Sequence, residues 1–166
     1  MKRALALLSV CTLFASAVAG QVEVAPIGNM NAPAKAKSYV LYAAEPQTVP
    51  AGKRGVLELR FHMVSGYHVN SHTPKSQLLI PTALTLQPAN GVTASAPEYP
   101  TGTPFSFSFD PTDKLDIYAG DFTIKLPVVA TAGAHTVEGS LKYQACDHAS
   151  CYPPRTLPVQ VVFTAK

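Results

Sequence analysis

Strict apolar–polar alternation in three segments, turn residues between short strand-like runs, and no helical periodicity after residue 20 predict an all-β domain. Seven or eight such strands within about 125 residues point further, to a single immunoglobulin-like antiparallel β-sandwich over residues 38–166. The chain has 166 residues, 47% of them apolar and 14% charged, which suffices for one core but not for two. That composition excludes a disordered chain and a coiled coil. The formal charge is +3 and falls to +1 if Lys2 and Arg3 leave with a leader, so a nucleic-acid partner is not expected.

The leader comes first in the chain. Lys2 and Arg3 precede an apolar run from Ala4 to Ala19, broken only by Ser9, Thr12 and Ser16 and ending in Ala17-Val18-Ala19. This is the pattern of a secretory signal peptide over 1–19, cleaved after Ala19 and too short to span a bilayer. A lipoprotein reading through Cys11 fits poorly, because Val10 precedes it and the apolar run continues past it. Residues 20–37 are rich in Ala, Pro, Asn, Gly and Lys without periodicity and read as an exposed tail or linker.

Strands follow from Ser38 onward. Val56 to Val64 puts Leu57, Leu59, Phe61 and Met63 on one face and Glu58, Arg60 and His62 on the other. The same period of two returns in Asp121 to Val128, with Phe122, Ile124, Leu126 and Val128 inward, and again in Val137 to Ala145. Shorter runs are Tyr39 to Ala43, Tyr67 to Asn70, Leu78 to Leu86, Phe105 to Phe109 and Leu157 to Phe163, separated by Pro, Gly, Asn and Asp clusters. The inter-sheet disulfide of antibody domains is not expected, since the chain has no tryptophan and its two later cysteines lie only five positions apart.

Those cysteines, Cys146 and Cys151, remain once Cys11 leaves with the leader. In an oxidising compartment they will pair. Strand parity places Leu141, Tyr143 and Ala145 inward and therefore Cys146 outward, unless a bulge intervenes. Asp147 to Ser150 forms a four-residue hairpin loop that brings the cysteines to opposing strand ends. A closed loop of about six residues stabilises by roughly 2 kcal/mol, against about 4.7 for a hundred. As a staple this is the weaker design. Three readings stand open: a hairpin staple in a non-enzymatic binding domain, a redox couple, or soft ligands for copper together with His62, Met63, His68, His72 or His148. The spacing matches no closed zinc site.

Tyr143-Gln144-Ala145-Cys146 and Cys151-Tyr152-Pro153-Pro154, with Gly66-Tyr67-His68-Val69-Asn70-Ser71 and Ile117-Tyr118-Ala119-Gly120-Asp121 leading into Leu126-Pro127-Val128, carry a resemblance. Over about Ser38 to Phe163 the chain resembles the N-terminal periplasmic domain of the thiol:disulfide interchange protein DsbD. The resemblance implies an immunoglobulin-like sandwich in the periplasm that works by thiol–disulfide exchange without a cofactor. It implies Cys151 as the nucleophile and Cys146 as the resolving thiol. Its partners would be a separate membrane-embedded thiol reductant as donor and periplasmic oxidoreductases of thioredoxin fold as clients, with no membrane insertion after signal cleavage.

The family also shields its cysteines with an aromatic cap loop, for which the corresponding stretch here is Phe105 to Asp113. Parity puts Phe105, Phe107 and Phe109 on one face; Phe105 and Phe107 are expected in the core, and Phe109 is the cap candidate with Asp110 beside it. The family's acidic-acidic-Phe-Tyr-Gly cap block is absent, and the cysteine spacing is one residue shorter. Two active-site tyrosines of the family fall on His68 and Asn70, which share an outer face by parity and leave Tyr67 and Val69 inward. A histidine there makes thiol reactivity more pH-dependent, unless His68 is an ordinary exposed strand residue. His148, in the loop between the cysteines, would stabilise a thiolate when protonated, and Asp147 would oppose it; a solvated loop residue is the plainer alternative. Without the family's membrane domain and thioredoxin-like domain, the chain is expected to act as a stand-alone shuttle.

Overall fold

The computed structural model describes residues 38–166 except Gln77 and Phe109; the expected signal peptide, the tail and the cap candidate Phe109 lie outside the described residues. Among those residues there are twelve strands and no helix. They are β1 (Val40–Ala43), β2 (Gln47–Val49), β3 (Arg54–Met63), β4 (His68–Asn70), β5 (Ala83–Leu86) and β6 (Val92–Ala94). The second half adds β7 (Thr103–Phe107), β8 (Asp110–Ala119), β9 (Asp121–Ala130), β10 (Gly133–Tyr143), β11 (Ala145–Cys146) and β12 (Arg155–Ala165).

Three four-stranded sheets result, in the orders β1-β3-β9-β6, β2-β12-β10-β5 and β11-β4-β8-β7. All pairings are antiparallel except β2 with β12. The first two sheets form the sandwich. β3 and β9 pair with Leu57 opposite Leu126 and Phe61 opposite Phe122, so their alternating apolar residues share one inner face. Leu57, Leu59, Ile124 and Leu126 are wholly buried there, while Arg60 and His62 face solvent. The second sheet closes the same core with Val137, Leu141 and Tyr143 from β10 and Val159, Val161 and Phe163 from β12. Each such side chain contributes about 1.5–3 kcal/mol on leaving water, which is why alternation alone specifies the two main layers.

The third sheet is the part the sequence outlined least. Its strands leave and rejoin the sandwich at two glycines with positive φ, Gly66 after β3 and Gly120 between β8 and β9. The Met63 amide donates to the Gly120 carbonyl at 2.9 Å, so both crossings are tied together. Several expected strands are trimmed or divided. Leu78 to Leu86 is strand only over Ala83–Leu86, because the chain before it is used by Asn70, whose Nδ2 donates to the Ile80 carbonyl at 3.0 Å. Val137 to Ala145 ends its ladder at Tyr143, opposite Arg155, before the chain changes sheets.

Candidate functional site

The cysteine hairpin begins where β10 stops. Beyond Tyr143 the chain leaves β12, Gln144 makes the crossing, and Ala145 and Cys146 pair with Val69 and His68 of the third sheet. Gln144 Oε1 accepts from Asn70 Nδ2 at 3.3 Å and from the Ile80 amide at 3.4 Å, and its Nε2 donates to the Tyr152 carbonyl at 3.3 Å. The alternation persists through the crossing, with Ala145 in the main core and Cys146 on the opposite face; that face is covered rather than open, so Cys146, at 0% exposure, is not the accessible thiol that parity led one to expect. Cys151 is exposed. The two are joined in a disulfide with Cα atoms 4.0 Å apart and face each other as an antiparallel bridge.

The expected four-residue loop is present and carries its own bonds. The Asp147 amide donates to the Ser150 carbonyl at 2.9 Å, and the Tyr152 amide to the Ala145 carbonyl at 2.8 Å. Asp147 Oδ1 accepts from the amides of Ala149 and Ser150, both at 2.8 Å, and Oδ2 accepts from the Tyr152 hydroxyl at 2.5 Å. The Tyr152 hydroxyl and the two amides hold the Asp147 carboxyl down to about 2, and the same hydroxyl bond pushes the Tyr152 phenol up to about 12. Tyr152 in turn stacks on Tyr39, with ring centroids 5.1 Å apart, and tilts against Tyr67 at 5.9 Å. The Arg155 guanidinium lies 5.1 Å from the Tyr39 ring centre, which adds a cation–π contact.

Gln144, Tyr39, Tyr67 and the positioning role of Asp147 are the residues that sequence reasoning missed. An Asp opening a short loop is a signal for the last, because its carboxylate caps amides two and three residues on.

His68 and Asn70 share a face, but both are buried, at 4% and 0% exposure, which corrects the outward placement and the exposed alternative for His68. β4 is buried on both faces, Val69 in the main core and His68 and Asn70 on the opposite side, so parity leaves neither face to solvent. Phe105 and Phe107 supply that cover. Their ring centroids lie 4.4 Å and 6.2 Å from that of His68; they are half-buried and stand outside the main core where they were expected. Asp110 opens β8 opposite Phe107, is exposed, and accepts from the Thr112 hydroxyl at 2.8 Å.

His148 is exposed and, with His62, Met63, Tyr67, His68 and Phe105, lines a cleft of about 480 Å³. Burial pushes the His68 imidazole below its ordinary value, His148 pushes it the same way, and Asp147 opposes them. Of the other copper-ligand candidates, His62 Nδ1 pairs with Asp121 at 2.6 Å on the surface, Met63 is in the core, and His72 stacks on Tyr99 with its Nδ1 2.9 Å from the Thr82 carbonyl. Among the described residues no group of three or more His, Cys, Asp and Glu side chains is arranged to hold a metal ion. No helix among them is long and apolar enough to cross a membrane.

The reduced N-terminal domain of DsbD from Neisseria meningitidis is similar at 18% identity and a TM-score of 0.43, over 66% of this chain and 81% of that one. The N-terminal periplasmic domain of ScsB from Proteus mirabilis is similar at 9% identity and a TM-score of 0.47, over 74% of this chain and 44% of that one. No curated protein matches. The family model described as "Thiol:disulfide interchange protein DsbD, N-terminal" matches residues 40–162, which takes in β1 to β11, the disulfide and most of β12. The chain belongs to the family of DsbD N-terminal domains.

Proposed function

We propose that the Cys146–Cys151 bond is a working redox couple, and that the protein is a periplasmic carrier passing electrons from a separate membrane-embedded thiol reductant to disulfides of thioredoxin-fold clients. Cys151 is the sulfur that makes the mixed disulfide, and Cys146 the one that resolves it. The exported state rests on the leader pattern over 1–19. The observation that carries the reading is the asymmetry of the pair, one sulfur on the surface of a loop and its partner fully buried behind it. A client approaches one sulfur and not the other, as ordered exchange requires. His148, exposed in the loop that the two cysteines close, supplies a polar contact for that client.

The deciding measurement is the reduction potential of the pair by thiol trapping in glutathione and dithiothreitol buffers. A carrier is expected between about −270 and −120 mV, the range of thioredoxin to the strong oxidants. A value below about −300 mV, with slow exchange, would make the bond a staple and the protein a binding domain.

A further inference from the structure

We propose that His68 is the proton acceptor for the Cys146 thiol in the resolving step. This rests on the redox reading of the pair given above. Three observations carry it. First, His68 and Cys146 are directly opposed in the β4–β11 ladder, so their side chains leave the sheet on the same face. Second, both are buried, Cys146 at 0% and His68 at 4% exposure, with Phe105 and Phe107 covering the imidazole. A base in bulk solvent has no path to a thiol so enclosed, whereas apolar surroundings make that thiol harder to ionise. Third, His68 Nε2 is buried with no hydrogen-bond partner. Orphaned buried polar atoms are rare in folded proteins, and here the atom belongs to the residue paired across the ladder with Cys146, whose sulfur bears a proton in only one redox state.

The reaction then balances as two exchanges. The Cys151 thiolate attacks one sulfur of a client disulfide; a Cys151–client bond forms, the client bond breaks, and the electron pair leaves on the second client sulfur. Next the Cys146 S–H proton passes to His68 Nε2 as the Cys146 sulfur attacks Cys151 Sγ. The Cys146–Cys151 bond forms, the mixed disulfide breaks, and the first client sulfur departs as a thiolate that takes the proton back from the imidazolium. The pair has lost two electrons and the client disulfide has gained them.

The titratable groups facing His68 are His148 and Asp147 from the cysteine loop and, along the cleft, Tyr67 and His62. β7 presents Phe105 and Phe107, and β8 places Ala119 opposite. Burial favours the neutral imidazole, the form able to accept a proton.

The test is a stopped-flow reaction of the reduced protein with excess Ellman's reagent, whose disulfide stands in for the client. The first thionitrobenzoate released reports Cys151, and the second reports attack by Cys146. His68→Phe and His68→Gln are expected to leave the first rate unchanged, to slow the second about tenfold or more, and to abolish its fall-off at acid pH. A second rate and pH profile like the wild type's in both variants would overturn the role of His68 and leave the exchange reading standing. Equal slowing of both phases would make His68 a packing residue and overturn the role as well. A wild-type protein that releases fewer than two equivalents would overturn the exchange reading itself.

Discussion

Asp147 accepts three hydrogen bonds within one short loop, and its carboxylate therefore belongs to the folded state in a way that an exposed aspartate does not. Its ordinary value is 3.8 and its folded value about 2, so the stability it contributes is complete above pH 4 and is lost as pH falls through 2. Asp147→Asn is expected to flatten the fall of melting temperature between pH 4 and pH 2 in the oxidised protein; parallel curves for the two proteins would dismiss the effect. The roles of the two sulfurs are separable in the same residue-by-residue way. Cys146→Ser should trap a thioredoxin-fold disulfide partner as a mixed disulfide through Cys151, and Cys151→Ser should not, as read on non-reducing gels. Equal trapping by both would reverse or dissolve the assignment. The pair and its loop were legible in the sequence because a five-residue spacing that fits a four-residue hairpin loop is a local signal; the turn-forming role of Asp147 was there to be read but went unused. The burial of Cys146 and His68 was not, since strand parity tells which face a side chain takes but not whether that face is covered, and here Phe105 and Phe107 from a distant strand cover it at His68.

The hairpin of β7 and β8 is the element that covers the site, through Phe105 and Phe107 against His68. An aromatic contact of this kind adds about 0.5–1.5 kcal/mol, so its loss shifts a local opening equilibrium about two- to tenfold. Phe105→Ala is therefore expected to speed alkylation of the reduced pair by that factor, with the Cys151 reactivity of Phe105→Ala/Cys146→Ser as the reference. An unchanged rate would remove the hairpin as a cover. Strands that face the main core, β3, β9, β10 and β12, announced themselves by alternation. β2 and β6, of three residues each, did not, because they lie at sheet edges and take their form from a neighbour. β8 is a harder case: Leu115 and Ile117 are buried on one face, but Tyr118 is buried on the other, and the pattern that marks a half-buried strand is absent.

For the molecule as a whole, the sandwich core is built without the cysteines. Replacing both by serine is expected to cost about 2 kcal/mol in urea unfolding, the loop-closure contribution of a short ring, with an unchanged slope. Collapse of the fold in that variant would return the bond to a structural role. The two-layer architecture was readable because four strands alternate over most of their length. The third sheet was not, because β4 was read as a half-buried strand but is buried on both faces, and β8 shows no alternation.

The hairpin closed by Cys146 and Cys151 is also closed by two backbone bonds that do not involve sulfur, Asp147 to Ser150 and Tyr152 to Ala145. Opening the disulfide therefore removes one of several fasteners on a shape already set. The hairpin is expected to keep its form when the pair is reduced, so that exchange at sulfur need not pass through an unfolded loop.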